Sequence, residues 1–204
     1  MIKIILANIL LFTSMITPLQ QKKQSIVFFG DSLTAGYGIG TDLAFPALVE
    51  KTLIGKSIEC EVVNAGLSGE TSAGGLSRVN WILNRHVDVF ILELGANDGL
   101  RGLPLSQTKQ NLQGIIDKVK AKFPEAKIVI AGMMVPPNMG EEYSKEFKNI
   151  FPTLAKTNNS ALIPFLLENV AGNQNLNQPD GIHPNARGHE LVAHTVSEVL
   201  LKVL

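Results

Sequence analysis

"SIVFFGDSLTAGYG", residues 25–38, decides how the rest of the chain is read. Ser25 to Phe29 form an apolar run that passes straight into glycine, aspartate and serine. A continuous run of this kind suits a strand covered on both faces, as in a parallel sheet. In such sheets ligands bind outside the carboxyl ends of the strands. Ser32, placed just past the run on a glycine-flanked turn, is therefore a candidate for chemistry.

Four more candidate strands follow at 57–65 ("SIECEVVNA"), 87–94 ("VDVFILEL"), 126–134 ("AKIVIAGMM") and 161–166 ("ALIPFL"). Helical patterns separate them. "FPALVEKTLI" (45–54) follows the first strand. The segment 106–123 places Leu112, Ile115, Ile116, Val119 and Phe123 on one face. Residues 141–158 have similar spacing, with Pro152 expected to kink or interrupt them. The last helix, 188–204, is expected to pack Leu191, Val192, Val196, Val199 and Leu200. Alternating strands and helices predict a doubly wound parallel sheet with helices on both sides. No internal repeat, linker or second domain is visible. On this topology the loops after strands one, two and three, "GDSLTAGYG", "GLSGETS" (66–72) and "GAND" (95–98), meet at one edge.

A serine hydroxyl becomes an effective nucleophile when a base takes its proton. Of the four histidines, His194 lies within the last helix, His189 at its start and His86 just before strand three, which suits packing or solvated roles. His183 differs: it sits in "QPDGIHPNARG", a proline- and glycine-rich loop ahead of the last helix. Asp180 precedes it by three residues, and Gly181 permits a tight bend that can bring the carboxylate to the imidazole. Ser32, Asp180 and His183 form a candidate triad in one of several chain orders able to build this geometry. The backbone N–H groups of Ser32 and Gly69 and the side-chain amide of Asn97 are candidate donors to an oxyanion. Glu93, a carboxylate in an apolar strand, needs partners. It is expected to brace the Asn97 loop through backbone N–H groups or through Arg78 or Arg101.

Other chemistries lack their motifs. The sequence has no G-x-S-x-G, no G-x-x-x-x-G-K-[ST] and no H-E-x-x-H, and "GYGIG" does not have dinucleotide-site spacing. His183, His189 and Glu190 do not follow a recognised metal-ligand spacing. No metal and no cofactor is expected. With 18 basic and 18 acidic residues the formal charge is zero, so nothing in the global field draws nucleic acid. The 204 residues, 45% hydrophobic and 18% charged, suit one globular domain. The lone cysteine, Cys60, can form no internal disulfide and reads as a packed strand residue.

The first residues differ from the rest. After Lys3 there is no charge until Lys22, and the apolar stretch from Ile4 to Ile16 is shorter than the ~20 residues of a spanning helix. Residues 1–24 read as a secretory signal, although a small-residue cleavage site is missing; an uncleaved anchor is the alternative. Export to the periplasm or the cell exterior is expected, with residues 25–204 as one folded domain. No membrane insertion of that domain is expected, and it should be a monomer.

"FFGDSLTAGYG", "NAGLSGETS", "ELGANDGLRG" and "DGIHPNARG" resemble, in order, the four blocks of the GDSL or SGNH hydrolases. Within them the likeness is to the bacterial exported thioesterase I, lysophospholipase L1 and arylesterase group. It runs along nearly all of the chain after residue 25. The resemblance implies a three-layer α/β/α, flavodoxin-like fold whose five-stranded parallel sheet has the order 2-1-3-4-5. It also implies hydrolysis of acyl esters and thioesters of small molecules or lipids. The segment Val135, Pro136, Pro137, Asn138 and Met139 would shape an acyl groove. A carbohydrate acetylesterase sharing the same blocks is a rival reading; one Trp and two Tyr make a sugar-stacking platform hard to assemble. A catalytically inactive exported lipid-binding module is the rival from another class.

Overall fold

A computed structural model describes residues 23–204; most of the expected export segment lies outside them. Strand β1, Gln24–Gly30, starts one residue earlier than expected. Strands β2 (Cys60–Gly66), β3 (Val89–Glu93), β4 (Lys127–Ala131) and β5 (Ala161–Ile163) complete the sheet. Its order is β2-β1-β3-β4-β5, and every pairing is parallel. This is the topology the resemblance implied.

The apolar run of β1 is buried on both faces because two helical layers cover it. Phe28 meets Phe45 edge-on at 5.5 Å, under helix α2 (Phe45–Gly55). Phe29 points the other way, beside Phe90 and against helix α3 (Ser72–Ile82). Helix α7 (Ala186–Val203) packs on α2, whereas α5 (Leu105–Lys122) joins α3 to α6 (Glu141–Asn158). Two short helices, α1 (Ser32–Ala35) and α4 (Ala96–Leu100), cap the ends of β1 and β3.

Several boundaries depart from the sequence reading. Strand β2 begins at Cys60 rather than at 57, since Ser57 adopts a left-handed conformation (φ 62°). Strand β5 stops at Ile163, ahead of Pro164, which has no N–H to continue the ladder. Helix α6 runs unbroken through Pro152, whose ring lies on the exposed side while Phe147, Ile150, Phe151 and Leu154 face the core. On α7 the buried stripe is His189, Val192, Ala193, Val196, Ser197 and Leu200; Leu191 falls outside it and is exposed. Helix α3 was not anticipated, because Gly74 and Gly75 weaken its helical pattern. Gly75 is where α3 comes close to the sheet: a Cβ there would strike Leu94 and crowd Phe29 and Ile115. Cys60 is buried, as expected.

Candidate active site

The strand-to-helix turn after β1 fixes the position of Ser32. A Cβ on Gly30 would collide with Thr34 Oγ1 and with Glu93, so only glycine lets the chain turn this sharply. Asp31 caps the short helix, its Oδ1 accepting the Leu33 N–H at 3.0 Å. Ser32 is the first helical residue, so its N–H has no intrahelical acceptor and is available to a ligand.

The loop before α7 brings His183 to this hydroxyl. Gly181 takes φ 70°, and the resulting bend lets Asp180 Oδ1 accept the N–H groups of Ile182 (2.9 Å) and His183 (3.0 Å). Asp180 Oδ2 lies 2.7 Å from His183 Nδ1. The backbone and imidazole bonds from His183, with the Ile182 N–H, hold the Asp180 carboxyl down at about 2. His183 Nε2 lies 2.9 Å from Ser32 Oγ. With Nδ1–H donating to Asp180, Nε2 is left to accept the Ser32 hydroxyl. Tyr37 covers the imidazole, ring centroids 4.7 Å apart. Gln178 pins the loop by donating to the carbonyls of Tyr37 (2.6 Å) and Pro184 (3.0 Å).

The second and third loops meet the first through Asn97. Its Nδ2 donates to Asp31 Oδ2 at 3.2 Å and to the Glu70 carbonyl at 3.0 Å. The amide therefore touches the immediate chain neighbours of both Ser32 and Gly69. Gly69 adopts φ 79°, and where a Cβ would stand the nearest group is the Arg101 guanidinium, at an uncrowded 4.0 Å. Backbone conformation, rather than crowding, is what requires glycine here. Among the described residues the Gly69 N–H has no protein acceptor.

Side chains behind the loops hold them in place. Arg78, from α3, grips both Glu70 carboxylate oxygens, lies over the Phe29 ring and donates to the carbonyls of Gly30 and Ala65. Arg101 donates to the Gly69 carbonyl at 3.0 Å. Asp98 Oδ2 accepts the Ser72 N–H at 2.8 Å, tying α4 to the start of α3.

Glu93 is wholly buried, as a strand carboxylate in need of partners should be, yet those partners differ from the expected ones. Its Oε2 accepts the Asp31 N–H (3.1 Å) and the Thr34 hydroxyl (2.7 Å). It thus braces the Ser32 turn and not the Asn97 loop; Arg78 and Arg101 are engaged elsewhere. Burial, then the neighbouring Asp31, push the Glu93 carboxyl well above the usual range.

The remaining histidines have other surroundings. His189 is buried, and its Nδ1 accepts the Phe45 N–H at 3.1 Å, joining α7 to α2. Burial, and secondarily His183, lower it to about 4. His86 and His194 are largely exposed, beside Asp88 and Glu198 respectively. Among the described residues no group of three or more His, Cys, Asp or Glu side chains is placed to hold a metal ion.

Beyond β4, Pro137–Met139 form a single 3-10 turn. Val135 is buried and packs beside Gly99 and Phe147, which leaves Pro136, Pro137, Asn138 and Met139 as the accessible part of the segment. Sequence reasoning missed Asp31, Tyr37 and Glu70, and it offered Arg78 to Glu93 where the structure pairs it with Glu70. Asp31 and Tyr37 stand inside the first block, and Glu70 inside the second, but nothing in a linear pattern says which side chains turn inward.

The model of the GDSL-like lipase/acylhydrolase family matches residues 28–191. The chain belongs to this family. Esterase TesA of Pseudomonas aeruginosa is 40% identical to it over 166 residues, 81% of this chain and 82% of that protein. Thioesterase 1/protease 1/lysophospholipase L1 of Escherichia coli K12 is 37% identical over 191 residues, 93% of this chain and 89% of that one. A crystal structure of TesA superposes with a TM-score of 0.84 at 37% identity, over 89% of this chain and 100% of the other. As a GDSL-family serine esterase, the protein hydrolyses ester bonds in small-molecule substrates.

Proposed function

We infer that the protein cleaves acyl esters and thioesters through an acyl-enzyme on Ser32. The reading rests on one observation: an unbroken relay from Asp180 to His183 at 2.7 Å and from His183 to Ser32 at 2.9 Å. His183 Nε2 takes the hydroxyl proton while Ser32 Oγ bonds to the acyl carbon. The N–H groups of Ser32 and Gly69 and the Asn97 amide receive the negative oxygen of the tetrahedral intermediate. The intermediate collapses by breaking the bond to the leaving oxygen or sulfur, which accepts the same proton from His183. Water, deprotonated by His183, then attacks the acyl carbon, and the second intermediate collapses by breaking the bond to Ser32 Oγ, which takes the proton back from His183 as the acid leaves. Asp180 keeps the imidazole in the correct tautomer and supports its transient charge.

Acyl chains are assigned to the edge formed by Pro136, Pro137, Asn138 and Met139, with Val135 as its packed root. Met139 supplies adaptable apolar surface. Residues 1–24 are assigned as an export segment and the folded part as a monomer outside the cytoplasm. Among the described residues no helix is long and apolar enough to cross a membrane.

Ser32→Ala is the direct test. It should abolish turnover of a p-nitrophenyl ester while the circular dichroism spectrum and melting temperature stay as in the parent; retained turnover would refute the assignment. Rates over a series of acyl lengths, with oxygen and sulfur esters in parallel, then define the substrate.

A further inference from the structure

The Asn97 amide can serve an oxyanion only if its nitrogen, and not its oxygen, faces the reacting carbon. An amide that rotates by half a turn presents an acceptor to the negative oxygen and works against the reaction. Two acceptors prevent this rotation, Asp31 Oδ2 at 3.2 Å and the Glu70 carbonyl at 3.0 Å. The carbonyl belongs to a loop that Arg78 and Arg101 already hold. Asp31 is the only side chain of the pair, and it is 1% exposed.

We propose that Asp31 is a positioning residue, whose carboxylate fixes the Asn97 amide with its nitrogen, rather than its oxygen, toward the developing oxyanion. Its second oxygen is committed to the Leu33 N–H, so one carboxylate orients both the nucleophile's helix and the amide donor. An ionised carboxylate only accepts hydrogen bonds, and for that reason it rejects the rotated amide. Glu93 supports this state from below. It takes the Asp31 N–H on Oε2, while its Oε1 has no partner among the described residues. Two neighbouring carboxyls in a dry site do not both ionise, and a single proton resides on the pair. Burial raises Asp31 to about 6 and Glu93 well above the usual carboxylate range, and the Asp31 charge raises Glu93 further; the shared proton is therefore assigned to Glu93 and the charge to Asp31. The long 3.2 Å arm to Asp31 is the one an incoming oxyanion can share.

The inference rests on Asn97 acting as an oxyanion donor, and a double-mutant cycle separates the two claims. Asn97→Ala should lower kcat by about 10²- to 10³-fold. Asp31→Asn puts an NH2 group against the Asn97 NH2 group, or leaves Leu33 uncapped, and should lower kcat about 10- to 100-fold with little change in KM. In the Asn97→Ala background the same substitution should cost no more than about threefold, because the group it orients is gone. Asp31→Ser, which keeps a cap for the Leu33 N–H but has no second oxygen, should show the same coupling if Asp31→Asn is too unstable to assay. Full additivity with either Asp31 variant, or an undiminished rate in Asp31→Asn, would overturn the positioning role. An undiminished rate in Asn97→Ala would instead remove the oxyanion assignment on which the role depends.

Discussion

Glu93 Oε2 accepts the Asp31 N–H at 3.1 Å, so the residue preceding Ser32 hangs from a carboxyl buried in the adjacent strand. Burial pushes that carboxyl well above the usual range, toward its neutral form, and two donors sustain it there, the Asp31 N–H and the Thr34 hydroxyl.

Glu93→Gln should therefore be mild, because a neutral amide of the same shape keeps an oxygen for both donors. Glu93→Ala should cost about 2–5 kcal/mol, from the cavity and from two stranded donors. Urea denaturation of both variants measures the difference. Equal damage from the two would mean that Glu93 is ionised in the native protein.

Asp180→Asn should reduce kcat by about 10²- to 10⁴-fold with little effect on KM or on stability. The carboxylate keeps its charge down to about pH 2, so mild acidification leaves the Asp180 partner of His183 ionised. Steady-state kinetics of the variant decide whether Asp180 orients His183 or merely closes a turn.

His189 gives stability a pH dependence of known sign. Its imidazole sits at about 4 in the fold, against an ordinary value near 6.5. Between these values the unfolded chain binds more protons, and stability is lost as pH falls from 6.5 toward 4. The loss should approach about 2–3 kcal/mol. Asp31 acts in the opposite sense, its raised carboxyl favouring the fold as pH falls toward the ordinary carboxylate range. The comparison to make is parent against His189→Gln: the variant should lose the acid-sensitive component in chemical denaturation at pH 7 and pH 5, and an unchanged difference would exclude His189 as its source.

Much of this was legible in the sequence. The continuous run at 25–29 marks a doubly covered strand because alternate residues, Phe28 and Phe29, each find a helix. The turn around Gly181 brings Asp180 to His183 because the spacing is local. Long-range choices were not legible. Glu93 needed partners, but whether they would come from the loop after β1 or β3 depended on which strand end lay nearer. Arg78 was offered to the wrong carboxylate because α3, which aims it at Glu70, was obscured by two glycines. Leu191 was assigned to the core because apolar character alone does not fix a helix's rotation; the buried stripe includes the polar His189 and Ser197 instead.

His183 and Asp180 come from the loop just ahead of α7, while Ser32, Gly69 and Asn97 all precede residue 100. On the proposed relay, a polypeptide still emerging from the ribosome can hold Ser32, Gly69 and Asn97 yet lack His183 to take the proton. A copy truncated ahead of residue 180 should therefore stay inert toward esters.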